Sequence, residues 1–331
     1  MPEYHPAPME DVVVSSRVRL ARNYRDIPFP SMLTREFADE VIHRCRAAMP
    51  SDKYEMRTMA ETPPEEKAYL MEQGLISGEM GDFTAALIST GRTVSVLVNE
   101  EDHLRIQAML PGEQLERCAQ IAYECDDELS RAAAFAFDRQ LGYLTSSPTN
   151  AGTGMRVSLM MHLPALSASG HMGEVAQAAG KLSLSLRGAG GQGQNPGKMF
   201  FLSNQITLGR SEEDIIRSVS DAAQEIADRE RTLRSSLAQN SVELMDRLMR
   251  SLGILSQARL MSEKEWEGRA SDLRFAAEIG LIDAELAAVD RMRRDLRNAT
   301  LLKQSERELP GRAGDRLRAE IIRDQMKEWS F

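Results

Sequence analysis

The chain predicts an α+β fold: an antiparallel sheet flanked by helices, followed by a small C-terminal helical bundle. Three observations carry it. Over the first two-thirds, short β-rich runs alternate with helical segments. Several of those runs alternate apolar and polar residues, which suits an antiparallel sheet with one covered face better than a doubly wound parallel one. From Ser211 onward almost every segment carries helical periodicity.

Taken in order, Val12 to Val14, Ala85 to Ser89, Thr93 to Val98, Val157 to Leu163, Leu182 to Leu186 and Met199 to Leu202 read as strands. Leu182-Ser183-Leu184-Ser185-Leu186 shows the alternation most clearly. Ser211 with Asp214 forms a capping signal, and Ile215, Ile216, Val219, Ala222, Ala223 and Ile226 follow at helical spacing. Three further amphipathic faces come next: Met245, Leu248 and Leu252; Leu273, Ala276, Ala277 and Leu281; Leu317, Ile321 and Ile322. Gly253, Gly280 and the Pro310-Gly311 turn are expected to separate them. The expected division is an N-terminal segment 1–11, a sheet domain 12–233 and a helical domain 234–331.

At 331 residues and 42% hydrophobic content the chain can bury two domain cores. The net charge of −9 disfavours nonspecific nucleic-acid binding, though it leaves room for a local basic pocket. No run reaches about 18 apolar residues, so no membrane span is expected. Met1 to Glu10 also lacks the layout of a signal peptide, and the expected compartment is the cytoplasm. Cys45, Cys118 and Cys125 show neither CxxC spacing nor an even count, as reduced thiols would. His43, His162 and His171 have no ligand spacing, so no protein metal site is expected.

The chemistry gathers in four motifs. Asn99-Glu100-Glu101-Asp102-His103-Leu104-Arg105 sets adjacent carboxylates beside a cation directly after an apolar strand. A carboxylate can grip a guanidinium through two parallel hydrogen bonds, and an arginine suits a phosphate oxygen. Seen alone, such a cluster is also what a solvated turn looks like. Ser15-Ser16-Arg17-Val18-Arg19 follows the first strand, and alternation puts Arg17 and Arg19 on one face. Ser147-Pro148-Thr149-Asn150-Ala151-Gly152-Thr153-Gly154-Met155-Arg156 brings two glycines and an arginine to the start of a strand. Arg187-Gly188-Ala189-Gly190-Gly191-Gln192-Gly193 delivers an arginine and then a glycine-rich loop able to fold over a ligand. Arg17, Arg19, Arg105, Arg156 and Arg187 thus all sit at strand edges beside turns.

With Ser203-Asn204 added, these motifs resemble the phosphagen or guanidino kinases over roughly the first 230 residues, in the family's order. The resemblance implies a guanidino-kinase-like sheet, MgATP (ATP with Mg2+) as donor and a guanidinium as phosphoryl acceptor. Small-molecule phosphagen kinases carry a helical domain before the Ser-Ser-Arg motif, whereas here only residues 1–14 precede it and the helices follow. That order, with Arg22-Asn23 to Ile27-Pro28-Phe29-Pro30, looks like the bacterial protein-arginine kinases. It implies phosphorylation of arginine side chains of proteins, which marks them for Clp degradation. Implied partners are arginine-containing protein substrates, a Clp chaperone-protease, a zinc-binding activator and further copies of the chain, as a homodimer or larger oligomer.

By the same resemblance, Arg17, Arg19, Arg105, Arg156 and Arg187 hold the nucleotide phosphates. Ser15, Ser16, Val18, Val157, Ser158, Leu159, Met160, Gly188, Ala189, Gly190, Gly191 and Gln192 complete the ATP site, and Glu101 is the catalytic carboxylate. Three positions depart from the family pattern. Gln192 stands where a second substrate-binding glutamate is usual, Ser147 replaces a reactive cysteine, and Gly74 replaces a histidine that stacks near the adenine. In the helical domain, Gly314-Asp315-Arg316-Leu317-Arg318-Ala319 is similar to the family's Arg-Asp-x-x-Arg-Ala phosphoarginine pocket. The leading arginine is absent, and Arg312 or Arg316 would substitute. The departures motivate a rival reading, an impaired relative acting as a phosphoarginine-binding adaptor. A small-molecule guanidino kinase is the third.

Overall fold

The computed structural model describes residues 7–190, 195–305 and 309–329. Its strands are β1 (Val13–Arg22), β2 (Tyr54–Thr58), β3 (Ala85–Ser89), β4 (Val94–Val98), β5 (Leu104–Pro111), β6 (Phe137–Asp138), β7 (Gly142–Tyr143), β8 (Met155–His162), β9 (Leu184–Gly188) and β10 (Met199–Asn204). The helices are α1 (Arg35–Ala48), α2 (Pro64–Glu72), α3 (Leu115–Ser130), α4 (Pro164–Ala168), α5 (Met172–Lys181), α6 (Glu212–Asn240), α7 (Val242–Gln257), α8 (Glu263–Glu278), α9 (Leu286–Asp295), α10 (Asn298–Ser305) and α11 (Ala313–Glu328).

Eight strands form one sheet in the order β2-β3-β4-β5-β1-β8-β10-β9, and every pairing is antiparallel. The expected α+β architecture is therefore the observed one. Val18 and Leu20 of β1, Leu104 and Ile106 of β5, and Val157 and Leu159 of β8 point to a single face. There they meet Val41 and Cys45 of α1, Cys118 and Ala122 of α3, and Val219 and Ala223 of α6 in the main core. On the opposite face Tyr69 and Leu70 of α2 pack with Ala86 and Ile88 of β3 at one end. The rest of that face is free to carry side-chain chemistry.

Several boundaries differ from expectation. β1 does not stop at Val14 but continues to Arg22, because Ser16, Val18 and Leu20 are each buried and keep the alternation going. The strand expected from Leu182 begins at Leu184; Leu182 is exposed and Ser183 turns the chain at φ 60°. Gly253 lies inside α7 rather than after it, and the bundle has α9 and α10 besides α7, α8 and α11. The 233/234 boundary falls within α6, which runs to Asn240. Ser211 caps α6 as expected, its hydroxyl accepting the Asp214 N–H. The three cysteines are free and buried, and burial pushes the Cys45 and Cys118 thiols up to about 12. Among the described residues no helix is long and apolar enough to cross a membrane.

Candidate active site

Antiparallel register gathers the arginines. On β1, Arg19 lies opposite Arg156 of β8 and Gln107 of β5, and Arg17 opposite Ser158 and Met109. Arg105, two residues before Gln107, shares that face. Ser158 pairs with Ser203 of β10, and Phe201, two residues earlier, pairs with Arg187 of β9. Arg17, Arg19, Arg105, Arg156 and Arg187 thus share the face that the main helices leave uncovered. Four strands separated in sequence converge here because a period of two puts alternate residues on one side.

Counter-charge is scarce. Among the described residues Arg17, Arg19, Arg156 and Arg187 make no ion pair with a carboxylate. Burial holds Arg17, Arg19 and Arg156 below the ordinary arginine range, and their mutual repulsion and that of Arg105 lower them further. Among the described residues the buried Arg19 Nε and Arg156 Nε have no hydrogen-bond partner. Such a face is built for an external polyanion.

The Asn99–Arg105 run turns tightly at its edge. Asn99 adopts φ 59° and its N–H donates to the His103 carbonyl at 2.9 Å. Glu100 is almost wholly buried, accepts from the Ser77 hydroxyl and pairs with Arg105 at 2.7 Å. Glu101 is the exposed member, its carboxylate 3.2 Å from Arg105 and 3.4 Å from Asn150 Nδ2. Asp102 and His103 anchor the turn from below: Asp102 accepts from Asn23 Nδ2 and the Ser146 N–H, both at 2.7 Å. His103 accepts the Tyr24 N–H at Nδ1 and sits 2.8 Å from the Pro28 carbonyl through Nε2, so Nε2 carries the proton. Beside Glu101 opens a cavity of about 530 Å³, lined by Leu33, Asp82, Phe83, Asn99, Glu100 and Ser146 among others.

The remaining expected site residues divide. Met160, Ser158 and Ser15 are on or beside the cation face, whereas the side chains of Val18, Val157 and Leu159 are buried in the helix-covered core and can offer a ligand nothing. Ser16 is spent on structure, donating to the Gly112 carbonyl and accepting the Gln114 N–H. Gly74, at φ 72°, ends α2 above β5, where its carbonyl accepts Gln107 Nε2 at 2.8 Å. Ser146 rather than Ser147 lines the cavity; the Ser147 hydroxyl is 2.8 Å from that of Thr149. Gly188 ends β9 beside Arg187 and Ala189 and Gly190 follow it, while Gly191 and Gln192 lie outside the described residues. Sequence reasoning missed Ser77, Gln107, Asp82 and Phe83. Only Gln107 had a signal, its period of two from Arg105.

In the helical domain the Arg318 guanidinium is buried, donating to the Leu296 and Met261 carbonyls at 2.7 Å and to Asn298 and Asp315. It clamps α11 to the rest of the bundle. Leu317 and Ala319 pack in the bundle core. Arg316 is exposed, and Arg312 reaches Asp315 at 3.6 Å. Gly314 has open space around it.

The sheet, its arginine face and the carboxylate turn define an ATP:guanido phosphotransferase. Residues 36–233 match the family model of the ATP:guanido phosphotransferase C-terminal catalytic domain, and residues 241–330 match that of the protein-arginine kinase McsB C-terminal domain. Relatives include the protein-arginine kinase of Caldanaerobacter subterraneus subsp. tengcongensis, 39% identical with 96% of this chain and 98% of the relative covered. That of Syntrophomonas wolfei subsp. wolfei is 41% identical, with 97% and 93% covered. Among solved structures, a lombricine kinase superposes with a TM-score of 0.61 at 23% identity, covering 71% of this chain and 74% of that one. The chain belongs to the protein-arginine kinase family.

Proposed function

We propose that the chain transfers the ATP γ-phosphoryl group to arginine side chains of proteins, with the five-arginine face holding the nucleotide phosphates and Glu101 facing the acceptor. The observation that carries this reading is the set of partly buried guanidiniums without carboxylate partners beside a cavity that Glu101 helps to line. A triphosphate would supply the missing acceptors. A Mg2+ would enter with the nucleotide, since this ion keeps much of its water and binds substrate phosphates. It would supply charge neutralisation at the phosphates.

The acceptor guanidinium is too basic to lose its proton beforehand. Its nitrogen would attack the γ-phosphorus in line as the bond to the bridging oxygen breaks and ADP leaves. The proton released from that nitrogen passes to Glu101 as the P–N bond forms. Arg105 holds Glu101 in place, and Glu100 in turn holds Arg105. Positioning and charge neutralisation carry most of the acceleration.

The domain match over residues 241–330 supports a protein acceptor over a small-molecule one. Phosphorylated proteins would thereby be marked for a Clp chaperone-protease, and a zinc-binding activator and self-association complete the expected partners. Phosphoarginine sensing would fall to Asp315 with Arg312 and Arg316. Incubation with MgATP and an arginine-rich protein should yield acid-labile protein phosphate that Glu101→Gln abolishes. Labelling that survives the substitution would remove Glu101 from the mechanism.

A further inference from the structure

Across the cavity from the carboxylate turn stands the loop between α2 and β3, which the reaction has not yet used. Asp82 and Phe83 line the same cavity as Glu100 and Glu101. The loop is tied to the catalytic turn. Asn99 Nδ2 donates to the Phe83 carbonyl at 3.2 Å and to the Ala38 carbonyl of α1 at 3.0 Å, and the Ser77 hydroxyl donates to Glu100. The Thr84 hydroxyl and N–H both donate to the Gly81 carbonyl, closing the turn that presents Asp82 and Phe83. These side chains are therefore held in register with Glu101 by hydrogen bonds at both ends of the loop.

Their chemistry matches a guanidinium. Phe83 keeps 55% of its surface exposed and lines the cavity, so its ring is open to a ligand there. Its face already attracts a guanidinium, since Arg35 lies 5.9 Å from the ring centroid. Asp82 is exposed and makes no ion pair among the described residues. An acceptor guanidinium presents a flat face and two edges, and Glu101 can take one edge.

The geometry points to Phe83 and Asp82 as the residues that select the acceptor, the ring stacking on the plane of the arginine and the carboxylate taking the edge Glu101 leaves free. The inference rests on the kinase reading of the same cavity. It explains a preference for arginine over lysine, because an ammonium has neither a plane to stack nor a second edge.

Phe83→Ala, Phe83→Tyr and Asp82→Asn in the full chain test it, with an arginine-containing peptide and its lysine counterpart as probes. Phe83→Ala should raise the acceptor KM roughly 2- to 30-fold at unchanged ATP affinity, and Phe83→Tyr should restore it. Asp82→Asn should raise the same KM, and calorimetry in the presence of ADP should show wild type preferring the arginine peptide and Phe83→Ala losing that preference. An unchanged acceptor KM and peptide affinity in Phe83→Ala and Asp82→Asn, while Glu101→Gln abolishes labelling, overturns the acceptor wall and leaves the kinase reading standing. Arginine-peptide binding that weakens in Phe83→Ala and Asp82→Asn, in a wild type that labels no protein, leaves the wall standing and removes the kinase reading. A wild type that binds neither peptide overturns the wall as well.

Discussion

Arg19 is the residue where function and stability pull apart. Burial and the repulsion of Arg17, Arg105 and Arg156 all disfavour its charge, and only Glu100 favours it. A guanidinium placed so is held for a ligand. Arg19→Met keeps the apolar stem and removes the charge, so nucleotide affinity measured by calorimetry should fall about 10- to 100-fold, as loss of a charge-assisted contact dictates. Without nucleotide, the melting temperature should stay level or rise, since like-charge repulsion is relieved. A marked fall in both would identify Arg19 as a structural residue. The same reasoning bears on position 192. Gln192→Glu adds a carboxylate that an acceptor guanidinium can pair with, and the acceptor KM should fall while the ATP KM holds. An unchanged acceptor KM would mean that position 192 does not face the acceptor.

Elements decide which of these residues the sequence reveals. The helix cap at Ser211 is legible because hydroxyl and following apolar spacing are local, and Ser211→Ala should cost about 1 kcal/mol in urea unfolding. A midpoint unmoved by that change would mean the α6 end frays regardless. The shared face of Arg17 and Arg19 was equally legible, since a period of two within one strand needs no tertiary knowledge. β5 was not. Its first residue, Leu104, is embedded in the charged run Asn99 to Arg105, and Gln107 breaks its apolar pattern although Ser95 and the Gly74 carbonyl satisfy its amide in the fold. β2 hid for a related reason: as an edge strand it carries Glu55 and Arg57, paired with each other at 2.8 Å, where an inner strand would carry branched apolar residues. In the site, Glu101 and the arginines came from motifs, whereas Phe83 and Ser77 gain meaning only when a loop is folded against a turn. Arg318 shows what a motif leaves out, since only the folded bundle brings the Leu296 and Met261 carbonyls to its guanidinium.

At the scale of the molecule, polar contacts among the described residues join the helical bundle to the sheet domain in two regions, besides the apolar cluster of Ala165 with Leu244, Leu248 and Phe275. Glu72 of α2 caps α10, accepting the Ala299 and Thr300 N–H groups at 2.9 and 2.7 Å. The second junction is polar and buried. His162, at the end of β8 away from Arg156, has Nδ1 2.8 Å from Glu278 of α8 and Nε2 2.8 Å from the Ser271 hydroxyl, with Arg234 and Arg274 beside it. Burial and the two arginines hold His162 well below the usual histidine range, while burial pushes the Glu278 carboxyl up to about 7. The folded pair therefore carries its proton on Glu278, donating to Nδ1. Between the unfolded values of 4.5 and 6.5 the unfolded pair also carries one proton, on the histidine, so this pair makes no slope in stability against pH there. His162→Gln preserves both hydrogen bonds, the amide oxygen accepting from Glu278 and the amide donating to Ser271, but removes the histidine's titration. The unfolded variant then lacks a proton that the folded variant retains on Glu278 from 4.5 upward. Relative to wild type, its unfolding free energy should fall by up to about 1.4 kcal/mol per pH unit between those two values. Urea unfolding of both proteins at half-unit steps from pH 5 to pH 6.5 reads the difference directly. Parallel profiles would place the proton on His162 in the folded state and make the junction an ion pair.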